Sequence, residues 1–180
     1  YQDVPFESLL DDVLYVLHHS PSPINASARR SLVLLLYEIA DFCHFRRETV
    51  AYAVWNVMDR YLSVVPPHLK LENDAGFQLV ALTSLYVAVK VLEPVNIDVV
   101  SLAALSKGAF LPQHVLEMEK QILQILHWNV AHGPTPLAYV QHYLTLLSRT
   151  TGEGCLLEDE LDGLLRHAQY QVELGVIDYD

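Results

Sequence analysis

The chain has 180 residues, 52% of them apolar and 18% charged, with a formal net charge of −11. That apolar fraction excludes a wholly disordered chain and is ample for a core in one or two domains. The charge argues against nucleic acid as a direct partner, because phosphate affinity rests on clustered Lys and Arg, and residues 151–180 alone hold eight acids against one base, Arg166.

Helical spacing dominates, and no run of strict two-residue alternation points to a strand. A first amphipathic segment is expected over 5–19, with Phe6, Leu9, Leu10, Val13 and Val16 on one face. Ser20-Pro21-Ser22-Pro23 then breaks it. Asn25 or Ser27 can cap a second helix, in which Leu32, Leu35, Leu36, Ile39 and Phe42 recur at three- and four-residue steps. A third helix is predicted over 47–63 through Val50, Val54, Val57, Met58 and Tyr61, and Val65-Pro66-Pro67-His68 ends it, since proline supplies no backbone donor. The fourth, 72–92, is apolar all round from Leu79 to Val89 except for Thr83 and Ser84. A helix of that kind is surrounded by protein. Shorter helices follow over 97–106 and 112–127, the latter with Pro112 suited to its first turn. Gly133-Pro134-Thr135-Pro136 marks the clearest boundary, after which come a helix over 136–148, a loop at 151–154 and a last helical segment from about 156.

The expectation is an all-α protein: a five-helix bundle built around one buried central helix, preceded by an N-terminal helix. The implied divisions are 1–24, an N-terminal helix and linker; 25–132, the bundle; and 133–180, a linker and further helices. Two cysteines, Cys43 and Cys155, are too few for a disulfide framework or a CxxC zinc site, which favours a reducing, intracellular setting. No basic leader precedes an apolar stretch at Tyr1. The most apolar stretch, 77–92, contains Gln78, Thr83, Ser84 and Lys90 and falls short of a bilayer span, so a soluble protein without a membrane partner is expected.

The residues that break the pattern are the informative ones. Lys90 ends the all-apolar helix with Tyr86 and Val87, not an acid, one turn before it. Either it lies in the last turn, favoured by the helix dipole with its stem snorkelling to water, or it has an acidic partner elsewhere. Glu119 has Val115, Leu116, Ile122 and Leu123 as its three- and four-residue neighbours. Either it is exposed beside a stripe of Val115, Met118, Ile122 and Ile125, or it is a buried carboxylate needing a base, for which Lys90 is the natural candidate. Such a pair, left partly exposed at a groove, could clamp another chain's backbone. Arg29 and Asp59 form a second candidate pair, read as structural because an internal ion pair between two helices needs no ligand.

At these residues the sequence resembles the cyclin family. Met58-Asp59-Arg60-Tyr61-Leu62-Ser63 is similar to a helix-ending signature of the cyclin box, and Ala88-Val89-Lys90-Val91-Leu92-Glu93 to its Ala-Ser-Lys-aromatic-Glu-Glu motif. Glu117-Met118-Glu119 through His127-Trp128-Asn129-Val130 resembles the segment closing the fifth helix of the box. The likeness runs from about Ala26 to Leu144. Leu174-Gly175-Val176-Ile177-Asp178-Tyr179-Asp180 resembles the end of the first helix of a second box, which implies a fragment reaching just inside that second fold.

What the resemblance implies is a non-catalytic subunit that binds a cyclin-dependent kinase as a heterodimer, in cell-cycle control, in the nucleus and/or cytoplasm and without a cofactor. Such a subunit pushes the kinase αC helix inward so that its Glu pairs with the ATP-positioning Lys. Lys90 and Glu119 would bind backbone groups beside that helix. Val87, Val91, Leu123, Trp128 and Val130 would form an apolar surface for it, or else belong to the core. Arg29 and Asp59 match the internal ion pair of the box. Two departures appear. The substrate- and inhibitor-docking patch is degenerate: Arg29, Leu32, Glu38 and Gln78 are kept, but Leu35 stands where the family has Trp. Leu92 also replaces the first Glu after Lys90.

Other classes fit less well. His18 and His19 are neighbours on different faces, and His114 with Glu117 forms one His-x-x-Glu pair where a carboxylate-bridged di-metal bundle needs two, so no metal is expected. Cys43 beside His44 lacks a Gly-rich elbow or phosphate loop. The remaining alternative is a cyclin-fold adaptor or transcription-related peptide-binding module without kinase activation. The acidic balance argues against its DNA-binding form.

Overall fold

The computed structural model describes residues 26–66, 74–131, 133–150 and 158–178. The helix expected over 5–19, the Ser20–Pro23 break, the cap candidate Asn25 and the 151–154 loop lie outside these residues. Among the described residues every regular element is helical.

Helix α1 spans Ala26–Phe42. Helix α2, over 47–64, is composite: α-helical at Arg47–Tyr52, π-helical at Ala53–Asp59 and α-helical again at Arg60–Val64. Val65 turns to extended backbone (φ −59°, ψ 128°) before Pro66, where a residue preceding proline is disfavoured in the helical region. Helix α3 is Asp74–Leu92, α4 Val99–Ala104, α5 Pro112–Ile125, α6 Pro136–Thr150 and α7 Glu158–Ile177.

Local chemistry sets several of these ends. Asp98 caps α4, its Oδ1 accepting from the amides of Val100 (2.8 Å) and Ser101 (3.0 Å). Pro112 opens α5 where a missing N–H costs nothing, and His114 Nδ1 accepts the Leu111 amide (3.3 Å). The candidate metal ligand His114 is therefore occupied in capping. Helix α5 stops two residues short of the predicted His127, because His127 (φ 52°) and Trp128 (φ 60°) turn left-handed.

Helix α3 is the centre. Every residue from Val80 to Val89 is buried, and α3 packs on α1, on α2 with its π-helical segment, and on α5. Counted as a helix, Ala75–Leu92 has the length and hydropathy of a membrane span, unlike the 77–92 stretch as counted in the sequence. It lies inside the bundle, which is how a surrounded core helix comes to be apolar on all faces. Its neighbours contribute Leu36 and Ile39 from α1, Val54, Val57 and Met58 from the π-helical segment, and Val115 and Ile122 from α5.

Helix α6 packs on α7, and α7 lies against α1 and α2. Glu173 of α7 and Asp178 just past it meet arginines there: Arg47 Nε lies 2.8 Å from Glu173 Oε1, and Arg30 Nη1 2.5 Å from Asp178 Oδ1. Val176 is buried in the same core as α1–α5. Two acids near the end of the chain thus pair with arginines of α1 and α2.

Candidate functional site

Lys90 and Glu119 meet. Helix α3 runs beside α5, and Lys90 Nζ donates to Glu119 Oε1 at 2.6 Å. The side chains are 38% and 14% exposed respectively, so the carboxylate is mostly enclosed while the ammonium reaches the surface. The ammonium also sits 3.9 Å from the centroid of the Tyr86 ring, a cation–π contact with the residue one turn earlier. Both readings of Lys90 hold together: it occupies the last turn of α3, and it has an acidic partner. An ammonium carries three donors, and Glu119 takes one.

The other expected contact residues divide. Val91 and Trp128 are exposed, Trp128 at 70%, and Leu123 and Val130 are half-buried against the core. Val87 is 3% exposed and belongs to the core cluster. It does not join the surface, because α3 is still enclosed one turn before it emerges at Lys90.

The end of α3 is held by residues that sequence reasoning missed. Helix α2 has no side chain of its own capping its N-terminus. Glu93, just past α3, serves instead: its Oε1 accepts from the Arg46 amide (3.0 Å) and from the Thr49 hydroxyl. Arg46 returns the favour by donating from its guanidinium to the Leu92 carbonyl at the C-terminus of α3. Each helix end satisfies the other's orphaned backbone groups, which fixes the turn carrying Lys90. The Ala88–Glu93 motif contained this signal, but the Arg46 partner lies 47 residues earlier.

Arg29 and Asp59 pair as expected through two hydrogen bonds, Nε to Oδ1 at 3.3 Å and Nη2 to Oδ2 at 2.9 Å. Their side chains are 11% and 24% exposed. Arg29 Nη1 also donates to the Val176 carbonyl (2.9 Å), joining α7 to the pair. This fork-shaped use of one guanidinium suits arginine and not lysine.

The docking-patch residues do not form an open surface. Arg29 is engaged internally, and Leu32, Leu35 and Gln78 are buried. A hollow of about 20 Å³ remains beside Leu35, lined also by Gln78, Leu105 and Phe110. Glu38 Oε2 and Gln78 Nε2 are buried and find no hydrogen-bond partner among the described residues, and burial, then the neighbouring Asp41, pushes the Glu38 carboxyl above its usual range. A larger cleft, about 390 Å³, lies between the bundle and α6–α7 beside Tyr37, Arg47, Gln141 and Gln169. Its Arg47 is engaged by Asp41 (2.7 Å), Glu173 and the Tyr37 ring (4.6 Å). Among the described residues no three His, Cys, Asp or Glu side chains converge as a metal site.

A helical bundle wrapped on a buried central helix, with a Lys–Glu pair where that helix surfaces, defines the class of fold. Residues 7–131 match the family described as "Cyclin, N-terminal domain". The chain is 30% identical over 160 residues to the G2/mitotic-specific cyclin S13-6 of Glycine max, covering 89% of this chain and 31% of that protein. It is 31% identical over 157 residues to the G2/mitotic-specific cyclin-B2 of Rana japonica (87% and 36%), and 27% over 152 residues to the G1/S-specific cyclin-D2 of Gallus gallus (84% and 47%). The chain belongs to the cyclin family. It spans about a third to a half of the length of these relatives.

Proposed function

We propose that this chain is the kinase-binding part of a non-catalytic regulatory subunit, which engages a cyclin-dependent kinase beside its αC helix and holds that helix in the active position. The observation that carries this is the Lys90–Glu119 pair, 2.6 Å apart with the ammonium at the surface. A charge pair worth little to the fold when solvated gains its value when a partner's backbone removes the water around it. Exposed Val91 and Trp128 supply apolar area on the same α3–α5 portion of the bundle and its outgoing loop. The relatives' names, drawn from both mitotic and G1/S cyclins, support a role in cell-cycle control. We place the protein in the nucleus and/or cytoplasm, where such kinases act.

The test is co-purification of the chain with a panel of recombinant cyclin-dependent kinases. A one-to-one complex is expected, weakened by Lys90→Ala and by Glu119→Ala while helix content is unchanged. If both variants bind and activate as well as the parent, the site is wrong. If no kinase is retained, the chain is a cyclin-fold adaptor.

A further inference from the structure

The loop after α5 is built in an unfavourable way. His127 and Trp128 are consecutive left-handed residues, and neither is glycine; side chains rarely adopt that region, and seldom twice in succession. The Trp128 ring is 70% exposed, so its own burial does not hold the loop in place. Strain of this kind persists only where surrounding structure over-determines it.

The turn is closed by its own backbone, the amides of His127, Trp128 and Asn129 donating to the carbonyls of Gln124 (3.1 Å), Leu123 (2.7 Å) and Leu126 (2.9 Å). Two side chains of α2 tie it to the bundle at the two residues immediately after Trp128. Arg60 Nη1 donates to the Asn129 carbonyl (2.8 Å), and the Tyr52 hydroxyl donates to the Val130 carbonyl (2.6 Å). Arg60 is itself anchored, because the same Nη1 donates to the Asn56 carbonyl (3.0 Å) in the π-helical segment. One terminal nitrogen with two hydrogens therefore bridges the π-helical backbone to the loop. Tyr52 and Arg60 flank that segment, Tyr52 ending the first α-helical stretch and Arg60 opening the second. Tyr52 is itself buried, so its hydroxyl is held in place by the core.

We infer that Arg60, backed by Tyr52, is a positioning residue for partner capture: it holds the 127–130 loop in its strained form and so presents Trp128 to the kinase. The partner role rests on the kinase-binding reading above; the restraint on the loop does not. The ring then meets its partner pre-ordered, and less ordering entropy is lost on binding.

The restraint is tested without any partner. The sequence holds two tryptophans, Trp55 and Trp128, so Trp55→Phe leaves Trp128 as the sole indole fluorophore. In that background, Arg60→Met should lower the fluorescence anisotropy of Trp128 and sharpen its quenching by acrylamide, with helix content and thermal midpoint near those of the parent. Tyr52→Phe, which removes only a hydroxyl, should act in the same direction and covers the case in which Arg60→Met fails to fold. Unchanged Trp128 anisotropy in both variants overturns the inference.

The partner role is tested with whichever kinase of the panel is retained. Arg60→Met should weaken binding about tenfold, as loss of pre-ordering at an aromatic anchor does. That effect should vanish in a Trp128→Ala background, since Arg60 acts through the ring. An equal effect in both backgrounds contradicts the positioning role and leaves kinase binding intact. If Trp128→Ala itself binds normally, the contact surface assigned under the proposed function is wrong, while the anisotropy result still decides whether Arg60 restrains the loop.

Discussion

Replacing Asp59 with alanine removes both carboxylate acceptors from the Arg29 guanidinium, 3.3 and 2.9 Å away. The cation left behind is 11% exposed and keeps the Val176 carbonyl of α7 as an acceptor. Breaking a buried pair by removing one partner costs about 3–5 kcal/mol. Asp59 is 24% exposed, so water entering the vacated space recovers part of that, and about 2–3 kcal/mol is the working figure. For a chain of this size the thermal midpoint should fall by roughly 4–12 °C. Urea unfolding followed by far-UV circular dichroism measures the loss. A paired Arg29→Met/Asp59→Leu variant should recover most of it, because an apolar pair of similar volume replaces a buried ion pair at little cost. If Asp59→Ala unfolds within about 0.5 kcal/mol of the parent, or the paired variant is no better than the single one, the pair does not join α1 to α2 as described.

Three further outcomes follow from the same geometry. Leu85 is fully enclosed at the middle of α3, and Leu85→Ala should cost about 2–5 kcal/mol in urea unfolding; a loss below the lower figure would place the bundle's core elsewhere. Glu93→Ala strands the Arg46 amide and the buried Thr49 hydroxyl, so a loss of about 1–3 kcal/mol is expected, and Glu93→Gln should keep much of the difference. Glu38 has its carboxyl raised by burial and by Asp41, so ionising it opposes folding: its stabilising contribution is present below the unfolded pKa and lost as pH rises through the higher folded value. Glu38→Gln should therefore raise the thermal midpoint at pH 7, with the gain disappearing below about pH 4; a gain that persists in acid would refute this assignment.

The all-α architecture and the central position of α3 were legible because a surrounded helix needs apolar residues on every face, and 79–89 supplies them. Helix bounds were recovered to within a few residues, α3 ending at Leu92 as expected and Val99–Ala104 standing against 97–106. The Lys90–Glu119 pair was legible for the opposite reason: each charge violated an apolar pattern, and each violation required an explanation. The π-helical segment was not legible, since seven residues with one extra residue per turn leave the apolar spacing of α2 almost unchanged. Nor was the early end of α5, because His127 and Trp128 carry no sequence mark of left-handed backbone. For Val87 the resemblance left surface and core both open, and its 3% exposure selects the core, because only burial shows where along its length a surrounded helix emerges. The reach of Arg29 to Val176 and of Glu93 to Arg46 depends on contacts between distant segments, which no local pattern records.

The central claim is that Lys90 and Glu119 serve a partner more than the fold. Exchanging them, Lys90→Glu with Glu119→Lys, preserves the attraction between α3 and α5 but reverses the charges offered to a kinase backbone. Calorimetric titration of the exchanged protein with a kinase that binds the parent is the direct measurement. The account predicts a thermal midpoint within a few degrees of the parent, since a partly exposed pair contributes about 0–1 kcal/mol, together with a loss of affinity of about thirtyfold or more. An exchanged protein that binds the kinase as tightly as the parent would contradict it.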